Sequence, residues 1–343
     1  MKKIFAVSAL LASGVAFAQS NVTLYGIADI HIDSRKSQGA SGRMAKIDSS
    51  GIYESRFGFK GSEGLGGGLK VNFQLEQGFA LDTGSVSAGQ AFSRQSWVGL
   101  SGDFGDVRAG KVWSAFDDIS GATQATKNSV FAPNAGVWLT TSYKDNPNNG
   151  LYYASPSFDG ISGAVSYGFG ENKAPGVGAG SVVSAHLKYT AGPVYAGVAQ
   201  QNEKATAASA PIKFTRVNGS YDLGAVKLLA SYGRVSSNDK STKEWQLGVD
   251  VPVSSALMIS GGVAHSSGGI TGFTPDASYI GKTANLTGAG APDVERTGFG
   301  VAAFYSLSKR TTLYSALQAT TTKAPGATDA KGDVVAVGIL HQF

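Results

Sequence analysis

Cysteine is absent from the 343 residues, which excludes disulfide scaffolds and thiolate-ligated zinc or iron-sulfur sites. Charge is scarce too, at 15% of residues, against a usual share of about 25%. Past the first twenty residues no stretch approaches the roughly 18 uninterrupted apolar residues that a membrane-spanning helix needs, so a helical membrane protein is excluded. A disordered chain is excluded by the 42% hydrophobic content. Glycine, by contrast, is abundant: 47 residues, about twice the roughly 7% of ordinary proteins.

The N-terminus reads as an export leader. Lys2 and Lys3 form a basic start, Ile4 to Val15 an apolar run, and Ala16-Phe17-Ala18 a small-residue cleavage site. The expected division is a signal peptide over 1–18 and a single barrel domain over 19–343. Without Lys2 and Lys3 there are 27 basic and 24 acidic residues, a formal charge of +3 instead of +5. That balance is too even to point to nucleic acid.

From residue 21 onward, segments of about ten residues alternate apolar and polar side chains, as tilted membrane strands do. Val22, Leu24, Ala28, Ile30 and Ile32 stand against Thr23, Tyr25, Asp29, His31 and Asp33. Successive strand side chains point to opposite faces, so each segment has one greasy and one wet side. The links between segments alternate in length. Short ones fall at 61–68, 102–106, 157–160, 191–193, 222–225, 252–255 and 308–310. Long ones fall at 34–50, 80–90, 114–148, 171–180, 204–211, 236–240, 267–293 and 323–332. This rhythm predicts an all-β fold, a 16-stranded antiparallel transmembrane β-barrel with short periplasmic turns and long extracellular loops. Aromatics near segment ends, Tyr152, Tyr153, Phe158, Tyr167, Phe169, Tyr189, Tyr195, Tyr221, Tyr232, Phe304, Tyr305 and Tyr314, are expected to form interfacial girdles. Val335, Val337, Ile339, His341 and Phe343 alternate along the final segment, which suits a strand closing the cylinder against the first. Phe343 is the expected assembly signal, and the outer membrane of a Gram-negative bacterium the expected location.

Several stretches carry a resemblance. Val22-Thr23-Leu24-Tyr25-Gly26 with Asp29, Ser55-Arg56-Phe57-Gly58-Phe59-Lys60-Gly61-Ser62-Glu63, Phe73-Gln74-Leu75-Glu76, Arg94-Gln95 with Trp97-Val98-Gly99-Leu100, and His341-Gln342-Phe343 are together similar to the general diffusion porins of β-proteobacteria. The resemblance implies a homotrimer of 16-stranded water-filled barrels for passive diffusion of small hydrophilic solutes and ions. It also implies a third loop, here 114–148, folded inward to narrow the pore, with wall arginines facing acidic groups of that loop. No cofactor, metal or catalytic residue is expected. Expected partners are outer-membrane lipid and lipopolysaccharide, the barrel-assembly machinery during biogenesis, and the permeating solutes.

Carried over by residue, the constriction is expected to draw Arg56, Arg94, Lys60 and Lys111 from the barrel wall and Asp117 and Asp118 from the third loop. Parity groups Arg56 with Glu54, Gly58 and Lys60, and sets Arg94 opposite Trp97. Strict alternation places Lys111 with Val107 and Ala109, so an inward direction requires a bulge. Tyr152 stands where anion-selective relatives have an arginine, so the expected anion preference is mild.

Sharper motifs fail on their chemistry. Gly105 to Lys111 spells G-x-x-x-x-G-K, but Val112 replaces the hydroxyl residue that would hold magnesium and no helix follows. His31, His186, His265 and His341 lack metal-ligand spacing. Rival functions are a substrate-biased porin for organic acids or phosphate, in which Arg56, Arg94, Lys60 and Lys70 attract the solute, and an outer-membrane barrel enzyme. A closed binding barrel is disfavoured, because sixteen strands enclose an aqueous lumen.

Overall fold

Along β1 (Asn21–Lys36) the odd positions Asp29, His31 and Asp33 are buried while Val22, Leu24 and Ile32 are exposed. The strand thus turns its polar face inward and its apolar face outward, the reverse of a soluble sandwich. The computed structural model describes residues 21–86, 90–171, 176, 178–275 and 282–343. The leader expected over 1–18 lies outside the described residues.

The chain continues through β2 (Met44–Ser49), β3 (Arg56–Gly66), β4 (Leu69–Gly78), β5 (Gln95–Gly102) and β6 (Gly105–Lys111). Next come β7 (Gly150–Ala154), β8 (Ile161–Phe169), β9 (Ala179–Ala191), β10 (Val194–Thr206), β11 (Ile212–Asp222), β12 (Lys227–Ser237), β13 (Lys240–Pro252) and β14 (Leu257–Gly268). A hairpin, β15 (Ile270–Pro275) and β16 (Lys282–Leu286), precedes β17 (Val294–Ser306), β18 (Thr311–Lys323) and β19 (Ala330–Gln342). β2 pairs with one half of β1 and β3 with the other, so the two are one interrupted strand. The antiparallel sheet therefore closes as a 16-stranded barrel, with β1 and β19 joined from Ile27↔Gln342 to Lys36↔Asp333.

Six of the short links lie where expected, but 61–68 shrinks to a turn at residues 67–68, because β3 pairs with β4 as far as Gly66↔Leu69, and two long links are corrected as well. The link 34–50 contains the paired strand β2, and 236–240 shrinks to a turn at residues 238–239, because the ladder of β12 and β13 runs through Ser237↔Lys240. The girdle also needs correction. Tyr153, Phe158, Tyr167, Phe169, Tyr189, Tyr221, Tyr232 and Tyr305 are exposed outside, whereas Tyr152, Phe304 and Tyr314 are buried and Tyr195 shares the inward parity of buried Ala199 and Gln201. Proximity to a strand end does not determine face; parity does.

Closure is local and tight. Gly26 donates to the Phe343 carbonyl at 3.0 Å and accepts from the Phe343 amide at 3.1 Å. A Cβ on Gly26 would come within 2.7 Å of the Arg56 carbonyl oxygen and would also meet the Phe343 ring. Gly26→Val is therefore expected to displace Phe343 from the seam and to lower the yield of folded, heat-modifiable barrel in cells, as deletion of Phe343 should. Wild-type yield from both variants on gel-mobility assay would remove Phe343 from any part in closure.

The third long loop, residues 112–149, carries α1 (Asp117–Ser120) and a short 3-10 turn (Ala125–Asn128) and packs inside the barrel. Phe116 and Ile119 join Ala199, Ile212, Phe214, Val235 and Ile270 in an apolar cluster at the inner wall. Full burial of a side chain such as Phe116 stabilises the docked loop by roughly 2–3 kcal/mol. On the opposite arc, Phe131 packs with Phe304, Tyr314 and Ala316. The loop approaches β17 so closely that a Cβ on Gly298 would overlap the Pro133 carbonyl.

Candidate constriction site

Arg56 opens β3 opposite Ile27, near the middle of β1, which sets it at mid-height on the wall. Its Nε lies 3.4 Å from Glu76 Oε2, and its Nη1 donates to the Glu54 carbonyl at 3.2 Å. Arg94 donates from Nε to Glu76 Oε1 at 2.8 Å, bonds Glu54 through Nη1, and lies 5.0 Å from the Trp113 ring centre. Tyr25 donates to Glu76 Oε2 at 2.9 Å and accepts from Gln74 at 2.6 Å. Two arginines and two carboxylates thus balance in charge. Arg56 and Arg94 converge on Glu76; no sequence motif marks Glu54 and Glu76 as their counter-charges, and Glu76 is legible only as an inward-parity acid on β4.

Trp97 corrects the parity argument. It is buried, with Nε1 donating to Gln95 Oε1 at 3.0 Å, and so faces inward on the same side as Arg94. Arg94 precedes β5, ahead of the ladder, where alternation no longer governs direction.

Lys60 and Lys70 are exposed and line, with Arg108, Asn72, Gln74 and Asp106, a polar recess of about 470 Å³ on the periplasmic side of the arginine pair. Lys60 sits 5.1 Å from the Tyr25 ring centre. Arg108 is held by Asp106 at 2.7 Å and contacts the rings of Trp97 and Tyr152, 4.6 and 5.1 Å from their centres. Among the described residues that line the recess, three cations meet one carboxylate.

Lys111 is placed differently from expectation. Its Nζ donates to the Asn146 carbonyl at 3.0 Å and to Asn148 Oδ1 at 2.9 Å, so it fastens the returning end of the third loop. Asp117 and Asp118 form no salt bridge with Arg56 or Arg94 among the described residues. Asp117 accepts from the Tyr143 hydroxyl, and Asp118 accepts from Tyr152 at 2.7 Å beside His186 Nδ1 at 3.3 Å. They are anchors at the root of α1, because the docked loop turns them toward buried hydroxyls.

The remaining loop anchors come from far in sequence. Arg216, fully buried on β11, donates to the Ser120 carbonyl at 2.7 Å, the Thr140 carbonyl at 3.1 Å and Thr140 Oγ1 at 2.8 Å, with its guanidinium 4.7 Å from the Trp138 ring centre. Glu244 on β13, also buried, accepts from the amides of Leu139 and Thr140. Gln318 on β18 donates to the carbonyls of Ala132 and Ala135 at 2.9 and 2.8 Å. Thr126, Lys127 and Asn128 hold positive φ of 55°, 57° and 56°, costly for side-chain-bearing residues. Their hold is the Ser260 hydroxyl on the Thr126 amide at 2.6 Å and Lys127 over the Phe304 ring. No signal local to Arg216 or Glu244 separates these anchors from ordinary lumen charges. His31, Asp33 and Asp48 come together on β1 and β2, but Arg35 and Lys46 already pair with the two carboxylates.

Burial pushes Asp117 up to about 7; the Tyr143 hydroxyl bond opposes this, Asp145 and Asp118 add to it, and Arg94 opposes it. Burial likewise raises Asp118. A raised value means that the docked loop prefers Asp117 protonated. Its contribution is fully present below the ordinary Asp value of about 3.9 and is lost as pH rises through about 7. Current noise in planar bilayers is therefore expected to grow between pH 5 and pH 8. Asp117→Asn should flatten that rise, and an unchanged rise in the variant would remove Asp117 as its source.

A closed 16-stranded barrel with an apolar exterior, a charged inner wall and a loop docked in its lumen defines an outer-membrane channel of the porin class. The Gram-negative porin family profile matches residues 6–325, and the chain belongs to that family. It is 32% identical over 272 residues to the outer membrane porin protein 32 of Delftia acidovorans, covering 74% of this chain and 76% of that one. It is 28% identical, over the full length of both chains, to an outer membrane porin of Bordetella pertussis. Among solved structures, an anion-selective porin from Comamonas acidovorans superposes with a TM-score of 0.78 at 24% identity, covering 95% of this chain and all of that one. A trimer form of OmpT from Vibrio cholerae gives 0.67 at 17% identity, covering 94% of this chain and 99% of that one. The outer membrane is accordingly the protein's location.

Proposed function

We propose that this porin works as a homotrimer, without a cofactor, and passes small hydrophilic solutes and ions with a mild preference for anions. The observation that carries the preference is the recess where, among the described lining residues, Lys60, Lys70 and Arg108 face only Asp106. Arg56 and Arg94 at mid-height are balanced by Glu54 and Glu76, so the excess positive field lies one step toward the periplasm. The anion selectivity in the name of the Comamonas porin and the trimer form of the Vibrio protein support the reading. The recess favours organic acids and phosphate among permeating solutes, since its lining offers ammonium, guanidinium and amide donors together.

The test is the zero-current potential across a planar bilayer in a KCl gradient. Chloride preference is expected near 0.1 M salt, where the Debye length is about 10 Å, and should fade toward 1 M, where it is about 3 Å. Lys60→Gln with Lys70→Gln should remove most of it. Cation preference in the wild type, or a preference indifferent to salt, would reject the reading.

A further inference from the structure

The hairpin of β15 and β16 belongs to the rim that bears the third loop, which is the extracellular side. Its root is tied to β13 and β17: the Ile270 amide donates to Thr242 Oγ1 at 3.1 Å, the Thr242 hydroxyl donates to the Ile270 carbonyl at 2.9 Å, and Arg296 Nη2 donates to the Thr271 carbonyl at 2.7 Å. From this root the two strands pair out to Pro275↔Lys282, so Lys282 stands at the far end. β16 touches β10, four strands along the sheet from the β14 that leads into the hairpin. The hairpin therefore leans inward over the inner wall instead of standing up from the rim.

At that far end the Lys282 ammonium enters a site built from three parts of the chain. Its Nζ lies 3.3 Å from Glu203 Oε2 on β10 and donates to the Ser142 carbonyl on the returning limb of the third loop. It also sits 5.1 Å from the ring centres of both Phe214 on β11 and Phe273 on its own hairpin. Glu203 is 2% exposed. Its Oε1 accepts from the Lys144 amide at 2.5 Å and from Gln201 Nε2 at 2.9 Å, whereas its buried Oε2 has, among the described residues, only the Lys282 ammonium opposite it. A buried carboxylate without a counter-charge is strongly destabilising, so this site requires a cation. Two aromatic faces attract an ammonium and the Ser142 carbonyl takes one of its protons. Carboxylate, carbonyl and two rings together make a cage for an alkylammonium, and the chain supplies the ligand itself.

The cage shares its rings with the seat of the third loop. Phe273 lies 5.8 Å from Phe214, which lies 6.5 Å from Phe116 and 6.4 Å from Tyr143. Phe273 and Ala284 of the hairpin pack against the apolar cluster that holds Phe116 and Ile119. Lifting the hairpin would thus expose this cluster to water and break the bond to Ser142 in one movement. We propose that Glu203, Phe214, Phe273 and the Ser142 carbonyl form an ammonium-binding site, that Lys282 fills it in cis, and that its occupation latches the outer hairpin onto the third loop and holds the pore at one conductance. With the ammonium withdrawn, Glu203 is left buried and unpaired, the hairpin swings about its root at Ile270, and the third loop loses its cover. The inference rests on the channel reading but not on the anion preference proposed for the lumen.

Because the chain has no cysteine, Lys282→Cys carries a single thiol, and single-channel recording in planar bilayers tests the latch. The variant should spend about tenfold more of its time away from the main conductance level than the wild type, since it strands Glu203. Treatment with 2-aminoethyl methanethiosulfonate, which leaves a side chain of nearly lysine's length ending in an ammonium, should restore the quiet trace. The 2-sulfonatoethyl reagent places an anion against Glu203 and should leave the channel noisy. Intact mass shows that the thiol is fully loaded in each case. A quiet trace from Lys282→Cys before any reagent, or the same trace after either reagent on loaded protein, overturns the proposal. Glu203→Gln with Lys282→Met strands no charge and serves where Lys282→Cys does not assemble as a heat-modifiable barrel. Lacking the ammonium, the double variant should still fluctuate severalfold more than the wild type, and a wild-type trace from it also overturns the latch.

Discussion

Glu54→Gln combined with Glu76→Gln should raise the chloride-to-potassium permeability ratio about three- to eightfold at 0.1 M KCl. The two carboxylates cancel Arg56 and Arg94 in the wild type, and the amides keep their shape while removing two negative charges. At about 7 Å from a passing ion in water each charge is worth roughly 0.6 kcal/mol, cut to about half by screening at 0.1 M; removing both favours chloride and disfavours potassium by about 0.6 kcal/mol each, so the ratio changes by up to about eightfold. The amide that replaces the Glu76 carboxylate can still accept from Tyr25, so the wall is expected to keep its form. A zero-current potential equal to that of the wild type would show that the arginine pair lies outside the conducting path. Replacing Arg56 and Arg94 by Glu is a poorer probe, because it would crowd four carboxylates together, and like charges at that distance cannot all ionise freely.

The second large effect concerns the docked loop. Arg216→Met should convert a steady open channel into one that fluctuates between conductance levels, with the oligomer still heat-modifiable on gels. The variant leaves the Thr140 carbonyl without its donor, takes one of two donors from the Ser120 carbonyl, which keeps Gln124 Nε2, and one partner from the Thr140 hydroxyl, which still donates to Glu244, and it removes the cation beside buried Glu244. Each unmet buried group costs on the order of 1–3 kcal/mol, and stranding a buried charge adds about 3–5 kcal/mol. That total exceeds the roughly 2–3 kcal/mol from burial of Phe116 at the same loop, so the loop should leave the wall for part of the time. Methionine retains most of the side-chain volume, so the barrel itself is expected to stand. A quiet trace like that of the wild type would mean that the apolar cluster around Phe116 and Phe214 holds the loop without help from Arg216.

These two results concern opposite sides of the lumen, and the division explains the changed roles of several residues. The wall of β3 to β6 presents charge to the pore, through Arg56, Lys60 and Lys70. The wall from β7 onward is largely occupied by the third loop, so the charges there bind backbone. Asp117 and Asp118, on the loop itself, accept from the hydroxyls of Tyr143 and Tyr152, and Lys111, at the end of β6 where the loop begins, fastens its returning end. Arg94 lies at the border, close enough to Asp117 to favour its ionised form without a salt bridge between them.

How far the sequence alone reaches follows from the range of the forces involved. Strand existence, the inward or outward face of Lys60, Lys213 or Val98, and the turn rhythm are local properties, because an antiparallel barrel alternates side chains with period two and closes between neighbours in sequence. The composition and alternation of the chain by themselves determined a barrel of sixteen strands, and its motifs placed Arg56 and Arg94 on the wall. Tertiary structure alone decided which charges remain open. Glu76 reaches Arg94 across 18 residues, Glu244 reaches Thr140 across 104, and Arg216 reaches Ser120 across 96. Alternation specifies which face a side chain leaves from. What meets it inside the lumen depends on where an irregular loop of nearly forty residues comes to rest, and no periodic pattern encodes that, since the loop is positioned by single contacts from strands distributed around the whole barrel.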